Sequence, residues 1–200
     1  MKYWVTVSFV FIYLVASAQQ KIPDSCKVLF ITTKGEFVIE AYKHWAPIGV
    51  ERFYQLVKTG YYNNNYFFRV EKDYVVQFGI TPDPAKRNNW DRSRLQDEPV
   101  REKHVKGMVA FARSGKNSRS AQLFIDINDN TKLDTTMREG VHGYPPIGKV
   151  IKGYEVLEAL NGQYGRDILP LQDSIYKYGN AYLDKQFPGL DKIIKAIIIK

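Results

Sequence analysis

An arginine in an apolar strand is costly to bury unless something pairs with it. The stretch YFFRVEKDYVVQFG at residues 66–79 holds one, Arg69. Its alternation predicts two strands joined through the polar tip Glu71-Lys72-Asp73. Arg69, Val75 and Gln77 share one parity, so a hairpin puts them on a common face, where the Gln77 amide can hold the guanidinium in one orientation. A second stretch, GMVAFARSGKNSRSAQLFID at residues 107–126, adds Phe111, Gln122 and Phe124 around a Gly/Ser-rich loop. Together they outline an apolar pocket with one fixed cation beside it. The chemistry on offer is electrostatic, needing no nucleophile.

Other chemistries lack their spacing. His44, His104 and His142 are scattered, with no H-x-x-x-H or C-x-x-C pattern for a metal. There is no G-x-S-x-G elbow, and Ser114-Gly115-Lys116 lacks the earlier spaced glycine of a phosphate-binding loop. Cys26 is the only cysteine, which excludes an intramolecular disulfide, and nothing near it in sequence supplies an activating base. It reads as a structural residue at the start of the first strand.

Four stretches in order resemble the cyclophilins. FFRVEKDYVVQFG is similar to that family's F-x-R, aromatic, aliphatic, Q-x-G signature, and GMVAFARSGKNSRSAQLFI to its G-x-x-x-x-A, polar loop, S-Q-F-F-I signature. DNTKLD resembles the segment with the pocket leucine, and PPIGKVIKGYEVLEAL the F-G-K-V strand and the helix after it. The resemblance runs from about residue 28 to residue 199.

It implies peptidyl-prolyl cis–trans isomerisation, without cofactor or metal. An X–Pro bond turns slowly because rotation breaks amide resonance, at a barrier of about 18–20 kcal/mol. A cation at the prolyl nitrogen, whose lone pair localises in the twisted state, stabilises that state over both planar ones. The resemblance assigns that cation to Arg69 and its orientation to Gln77. It builds the proline pocket from Phe124, Val75 and Leu133, with Tyr74 as an aromatic wall and Tyr144 where the family has a pocket histidine; His142 lies close by in sequence. It puts Gln122, Ala112 and the Arg113 backbone on the strand that pairs with the peptide. Lys132 stands where the family commonly has a rim tryptophan, so the resemblance implies at most weak binding of cyclosporin-type ligands. The Pro145-Pro146 pair and residues 135–140 are additions at the rim.

The elements that must carry these residues are short. Strands are expected at 27–33 and 35–42 around Thr33-Lys34-Gly35, then a helix from Ala46-Pro47 with Val50, Phe53, Leu56 and Val57 on one face and Gly60 as its stop. Residues 81–102, with Pro82, Pro84 and Pro99, read as a long surface loop. Strands follow at 108–112 and 122–127, a loop at 128–144, a strand at 147–152, a helix at 154–160, an irregular stretch at 165–178, a short helical turn capped by Asn180, and a closing apolar strand at 193–199. Many short strands with two good helices fit a closed antiparallel barrel. The resemblance implies eight strands and two capping helices, one domain over 27–200.

Residues 1–18 differ in kind. Lys2, an apolar run from Tyr3 to Val15 and Ala16-Ser17-Ala18 form the layout of a secretory signal peptide cleaved before Gln19, with an uncleaved anchor as the alternative. Cleavage removes Lys2 and no acid, lowering the net charge from +8 to +7 and leaving residues 19–26 as a lead-in. No stable membrane insertion is expected of the cleaved chain, in the periplasm, a secretory lumen or outside the cell. Arg87, Arg92 and Arg94 around Trp90 are the nearest thing to a basic aromatic platform, and read as solvated loop charge rather than a nucleic-acid site. The expected partners are proline-containing polypeptides. A binding module of the same fold with little turnover is the rival reading, against which the Arg69–Gln77 pair argues.

Overall fold

The computed structural model describes residues 23–200; the leader expected at residues 1–18 and the first part of the lead-in lie outside them. β1 (Ser25–Thr32) and β2 (Gly35–Tyr42) form the expected hairpin. On β1, Cys26, Val28, Phe30 and Thr32 are buried and the residues between them less so, the period of a strand with one face on a core. The sheet thus starts at Ser25, inside the expected lead-in. Helix α1 (Pro47–Lys58) takes proline in its first turn, buries Val50, Phe53, Leu56 and Val57, and stops before Gly60.

The remaining strands are β3 (Asn65–Tyr66), β4 (Arg69–Val70), β5 (Val75–Phe78), β6 (Met108–Phe111), β7 (Leu123–Asp126), β8 (Met137–Arg138), β9 (Val141–His142), β10 (Pro146–Lys152) and β11 (Lys192–Ile199). All but β8 and β9 join one nine-stranded antiparallel sheet in the order β3-β11-β1-β2-β10-β6-β7-β5-β4. This differs from the eight-stranded closed barrel expected. The ladder curls but does not close, because the short edges β3 and β4 do not pair with each other; they are consecutive in the chain, linked by Phe67-Phe68. The main core fills the curl beneath α1, where Phe30 stacks on Phe37 at 4.9 Å between centroids and meets Phe53 and Tyr62.

Residues 81–102 are not simply a loop. They contain α2 (Pro84–Asp91), capped by the Asp83 carboxylate, which accepts from the Ala85 and Lys86 N–H groups. The Asp-Pro start is a helix signal, but α2 buries no residue, so no apolar period announces it. The guanidinium over Trp90 is that of Arg52 from α1, 5.0 Å from the ring, and Arg87 lies over Tyr176 instead. The expected helix at 154–160 is α3 (Tyr154–Glu158). The irregular stretch at 165–178 ends in α4 (Gln172–Tyr178), followed by α5 (Asn180–Gln186). Asn180 does not cap α5; Gly179 is the N-cap residue, and the Asn180 amide donates to the Asn64 carbonyl. α4 and α5 pack Ile175 and Leu183 with Tyr66, Phe68, Ile80 and Ile168 in a second apolar cluster outside the sheet. β8 and β9 make a small hairpin in the expected loop at 128–144, turning through Glu139 and Gly140, both at positive φ.

α1 has no cap from its own N-cap residue, Ala46. Its first free N–H groups, those of Ile48 and Gly49, donate instead to the Glu98 carboxylate at 2.6 and 3.0 Å. Arg119, fully buried, gives Glu98 a hydrogen bond of 2.9 Å and donates to the Gln96 carbonyl. A buried ion pair therefore ties the helix start to the loop between β6 and β7.

Cys26 is 5% exposed, and burial, with the Glu40 carboxylate adding to it, pushes its thiol up to about 11. A thiol raised this far is protonated at neutral pH, and only the thiolate is nucleophilic. Alkylation of the native chain at pH 8 is expected to be negligible and to become rapid in denaturant. Rapid labelling without denaturant would contradict the burial.

Candidate active site

β7 lies between β5 and β6, and the registers Arg69↔Gln77, Gln77↔Phe124 and Phe124↔Ala110 run straight across four strands. Residues directly opposite one another share a face. Arg69, Gln77, Phe124 and Ala110 therefore form one row facing outward from the core, with Val75 two residues along on the same face. The intervening Val76, Ile125 and Val109 point into the main core. Phe111 obeys the same parity: it is fully buried in that core and does not line the cavity, contrary to the expectation, and Ala110 and Ala112 take the pocket face. Gly79 ends β5 at φ +112, where a Cβ would lie 2.6 Å from the Ala121 carbonyl and 2.7 Å from the Gln122 Cα. Only glycine lets β5 lie this close beside the Gln122 strand.

The Arg69 guanidinium is held on two sides. Its Nη1 donates to Gln77 Oε1 at 3.1 Å, its Nε to Glu71 Oε1 at 2.6 Å, and its plane lies 5.3 Å from the Tyr74 ring centroid. Gln77 passes the constraint on: its Nε2 donates to Gln122 Oε1 at 2.8 Å, and Gln122 Nε2 donates to Gln172 Oε1 and the Tyr176 hydroxyl at 2.8 and 2.9 Å. Every amide in this relay has its donor and acceptor ends used in one direction, so each side chain sets the orientation of the next. Arg69 Nη2 makes no hydrogen bond within the described residues, and the residue lines the cavity.

Beside that cation, Val75, Phe124, Leu133 and Tyr144 form an apolar cluster with Ala110, flanked by Tyr74 and Ala112. Phe124 meets Tyr144 edge-on at 5.5 Å. Behind them lies a buried polar support. His104 stacks on Phe124 at 5.6 Å, with Nδ1 2.6 Å from Asp126 Oδ2 and Nε2 2.6 Å from the Tyr144 carbonyl. Both ring nitrogens face acceptors, so a proton must also lie in the His104–Asp126 contact. Burial raises the Asp126 carboxyl above its ordinary range, against the pull of His104 and Asn130. Asn130 links Asp126 to the Tyr74 carbonyl at 2.8 and 2.9 Å.

The ten residues that the resemblance assigns to the site, Arg69, Tyr74, Val75, Gln77, Ala112, Arg113, Gln122, Phe124, Leu133 and Tyr144, line one cavity of about 660 Å³. Tyr144 is in it and His142 is not: His142 is exposed on β9. Lys132 is exposed on the short turn Thr131–Asp134 and is absent from the lining. Sequence reasoning missed Ser114, Ser120, Arg138, Arg166, Leu169 and Gln172, all in the lining, and the supports Glu71, His104 and Tyr176. Glu71 was readable as a charge opposite Arg69 in a tight turn. The others come from segments whose polar composition carries no period.

The cyclophilin-type family model, described as "Cyclophilin type peptidyl-prolyl cis-trans isomerase/CLD", matches residues 27–179. Peptidyl-prolyl cis-trans isomerase A of Dickeya dadantii is 30% identical over 150 residues, 74% of this chain and 78% of the relative. The isomerase cypE of Dictyostelium discoideum is 32% identical over 148 residues, 71% of this chain and 88% of the relative. Among solved structures, a cyclophilin type isomerase of Cryptosporidium parvum superposes with a TM-score of 0.61 at 23% identity, covering 88% of this chain and 98% of its own; at that identity it speaks for the fold. With the family match taking in the clamped arginine and the apolar pocket, this chain belongs to the cyclophilin-type peptidyl-prolyl cis–trans isomerases.

Proposed function

We propose that the chain accelerates rotation of X–Pro bonds in polypeptides, and that it does so on exported proteins. The observation that carries the first part is the Arg69 guanidinium, clamped by Gln77 and Glu71 at the mouth of an apolar pocket. The proline ring sits among Val75, Phe124, Leu133 and Tyr144, with Tyr74 as a side wall. The peptide lies along Ala112 and the Arg113 backbone, with the Gln122 region opposite. As the bond twists, amide resonance is lost and the prolyl nitrogen becomes a hydrogen-bond acceptor. The unpaired face of Arg69 donates to it. Because that nitrogen accepts poorly in either planar state, the bond forms mainly in the twisted one, which lowers the barrier rather than tightening ground-state binding. The relay from Gln77 to Tyr176 keeps the guanidinium from reorganising during the step. No covalent intermediate is required.

Export rests on the leader-like residues 1–18, with cleavage before Gln19; the mass of the chain recovered from an exporting cell reads it directly, and retention of those residues would replace export of a free chain with anchoring. A solved Cryptosporidium parvum relative was crystallised in the presence of the dipeptide Ala-Pro, which fits a proline-peptide site here. Tight cyclosporin-type binding is not proposed, given Lys132. The deciding experiment is the cis-to-trans rate of an X–Pro test peptide with and without the purified chain. Acceleration that scales with enzyme concentration supports the reading. Peptide binding without acceleration by a well-folded chain would replace it with a proline-peptide binding module.

A further inference from the structure

The charges lining the cavity are all of one sign. Arg69, Arg113, Arg138 and Arg166 contribute to its wall and no aspartate or glutamate does. Three acids stand close by outside the lining: Glu71, paired with Arg69 Nε, Asp97, 3.5 Å from Arg113 Nη1, and Glu139, beside Gly115. Arg138, on the β8–β9 hairpin, and Arg166, in the loop after α3, are exposed and pair with no acid among the described residues. Arg166 follows Gly165, whose carbonyl accepts from Val70 of β4, so it flanks the Arg69 end. Arg138 flanks the Tyr144 end.

Arg113 is the unusual member. Its side chain is fully buried, yet none of its three guanidinium nitrogens has a hydrogen-bond partner. The Asp97 carboxylate stands 3.5 Å away, too far for a good hydrogen bond, and the guanidinium lies 5.0 Å from the Tyr144 ring centroid. Buried donors left unpaired are costly, and a site that keeps them gains when a ligand supplies the acceptors. Guanidinium forks match carboxylate and phosphoryl oxygens two at a time.

We propose that the cleft selects proline sites flanked by an anionic side chain, a carboxylate or a phosphoryl group, received by Arg113 at the pocket wall and by Arg138 or Arg166 at the rim. The inference rests on the isomerase reading for the place of the proline and adds the class of sequence around it. Rim cations also draw in anionic chains from a distance, an effect that salt screens.

The test uses end-blocked peptides with one X–Pro bond, carrying glutamate, phosphoserine, glutamine or lysine at each of the two positions on either side of the proline. At one position or more, glutamate is expected to raise kcat/KM over glutamine by about tenfold, phosphoserine by more, and lysine to lower it. The glutamate advantage should shrink as salt rises, fall in part in the Arg138→Ala/Arg166→Ala variant, and fall to near one when Arg113→Gln is added. Binding of the same peptides by fluorescence anisotropy runs in parallel. Equal rates and equal binding for glutamate and glutamine at all four positions would overturn this inference alone. No acceleration of any peptide, with preferential binding of the anionic ones, would overturn the isomerase reading and keep the anion preference. A preference undiminished in the triple variant would overturn the assignment to these arginines. If that variant does not fold, the wild-type ratio and its salt dependence decide.

Discussion

Arg69→Ala is expected to lower kcat/KM for an X–Pro peptide by about 10²–10³-fold, the loss seen when one preorganised donor is removed from a developing charge. The loss should fall on kcat rather than KM, because the bond to the prolyl nitrogen exists mainly in the twisted state. The fold should survive. Arg69 lies at the cavity mouth on a two-residue strand, and its side chain is 15% exposed, so water can reach the Glu71 and Gln77 groups it leaves. Arg69→Lys keeps the charge but not the fork that bonds Gln77 and Glu71 together, and is expected to recover only a small part of the rate. A variant that folds, shows the wild-type unfolding midpoint and retains most of the rate would remove Arg69 from the chemistry.

The largest effect on stability is expected at the other end of the cleft's support. Glu98→Ala removes the acceptor of two α1 N–H groups and leaves Arg119 buried without its counter-charge. Breaking a buried pair from one side costs about 3–5 kcal/mol. By contrast the Lys106–Glu158 pair, at a similar 2.9 Å but half-exposed on both sides, is worth about 1 kcal/mol or less. The measurement is urea unfolding, with a fall in midpoint at unchanged slope. Glu98→Gln should lie between, since an amide oxygen still accepts from one N–H. Replacing Glu98 and Arg119 together with apolar residues should cost less than the sum of the single changes. A loss below about 1 kcal/mol for Glu98→Ala would mean that water or another group caps α1 once the carboxylate is gone. Because Ser120, next to Arg119, lines the cavity, the single variants are also expected to loosen the loop that carries Gln122.

The parts of this fold that were legible in the sequence are those with a strict period. Arg69, Val75 and Gln77 fell on one face because a strand has period two, and Val50, Phe53, Leu56 and Val57 on another because a helix has period 3.6. The signatures then carried Phe124, Leu133 and Tyr144 to the same cavity. Phe111 shares its parity with Val109, which turns both into the core, while the pocket face of that strand carries only the small Ala110 and Ala112. α2 and α4 were unreadable for a different reason. α2 buries nothing and α4 buries only Ile175, so propensity and capping decide them and no apolar stripe betrays them. α4 nonetheless supplies Gln172 and Tyr176 to the relay behind Arg69. His104 looked like an isolated histidine; it is the segment after β7 that seats it beside Asp126, accepting its N–H at Asp134 and donating to its carbonyl from Asn130. Arg138 and Arg166 lie far apart in the chain, and their shared cavity is a product of tertiary structure alone.

The seam between β3 and β4 has a consequence in time. β3 is held by β11, and β11 in turn by β1, so Lys27 near one end of the described chain pairs with Ile199 near the other. Contacts so distant in sequence are slow to find, since a long loop must close before they contribute. During synthesis, α1 and the first hairpin can form early, but the sheet edge beside Phe67 stays open until the last strand has left the ribosome. The relay behind Arg69 waits as well, because Gln172 and Tyr176 also come late. A protein whose proposed task is to speed the rotation of X–Pro bonds thus completes its own site only after its most distant contacts have closed.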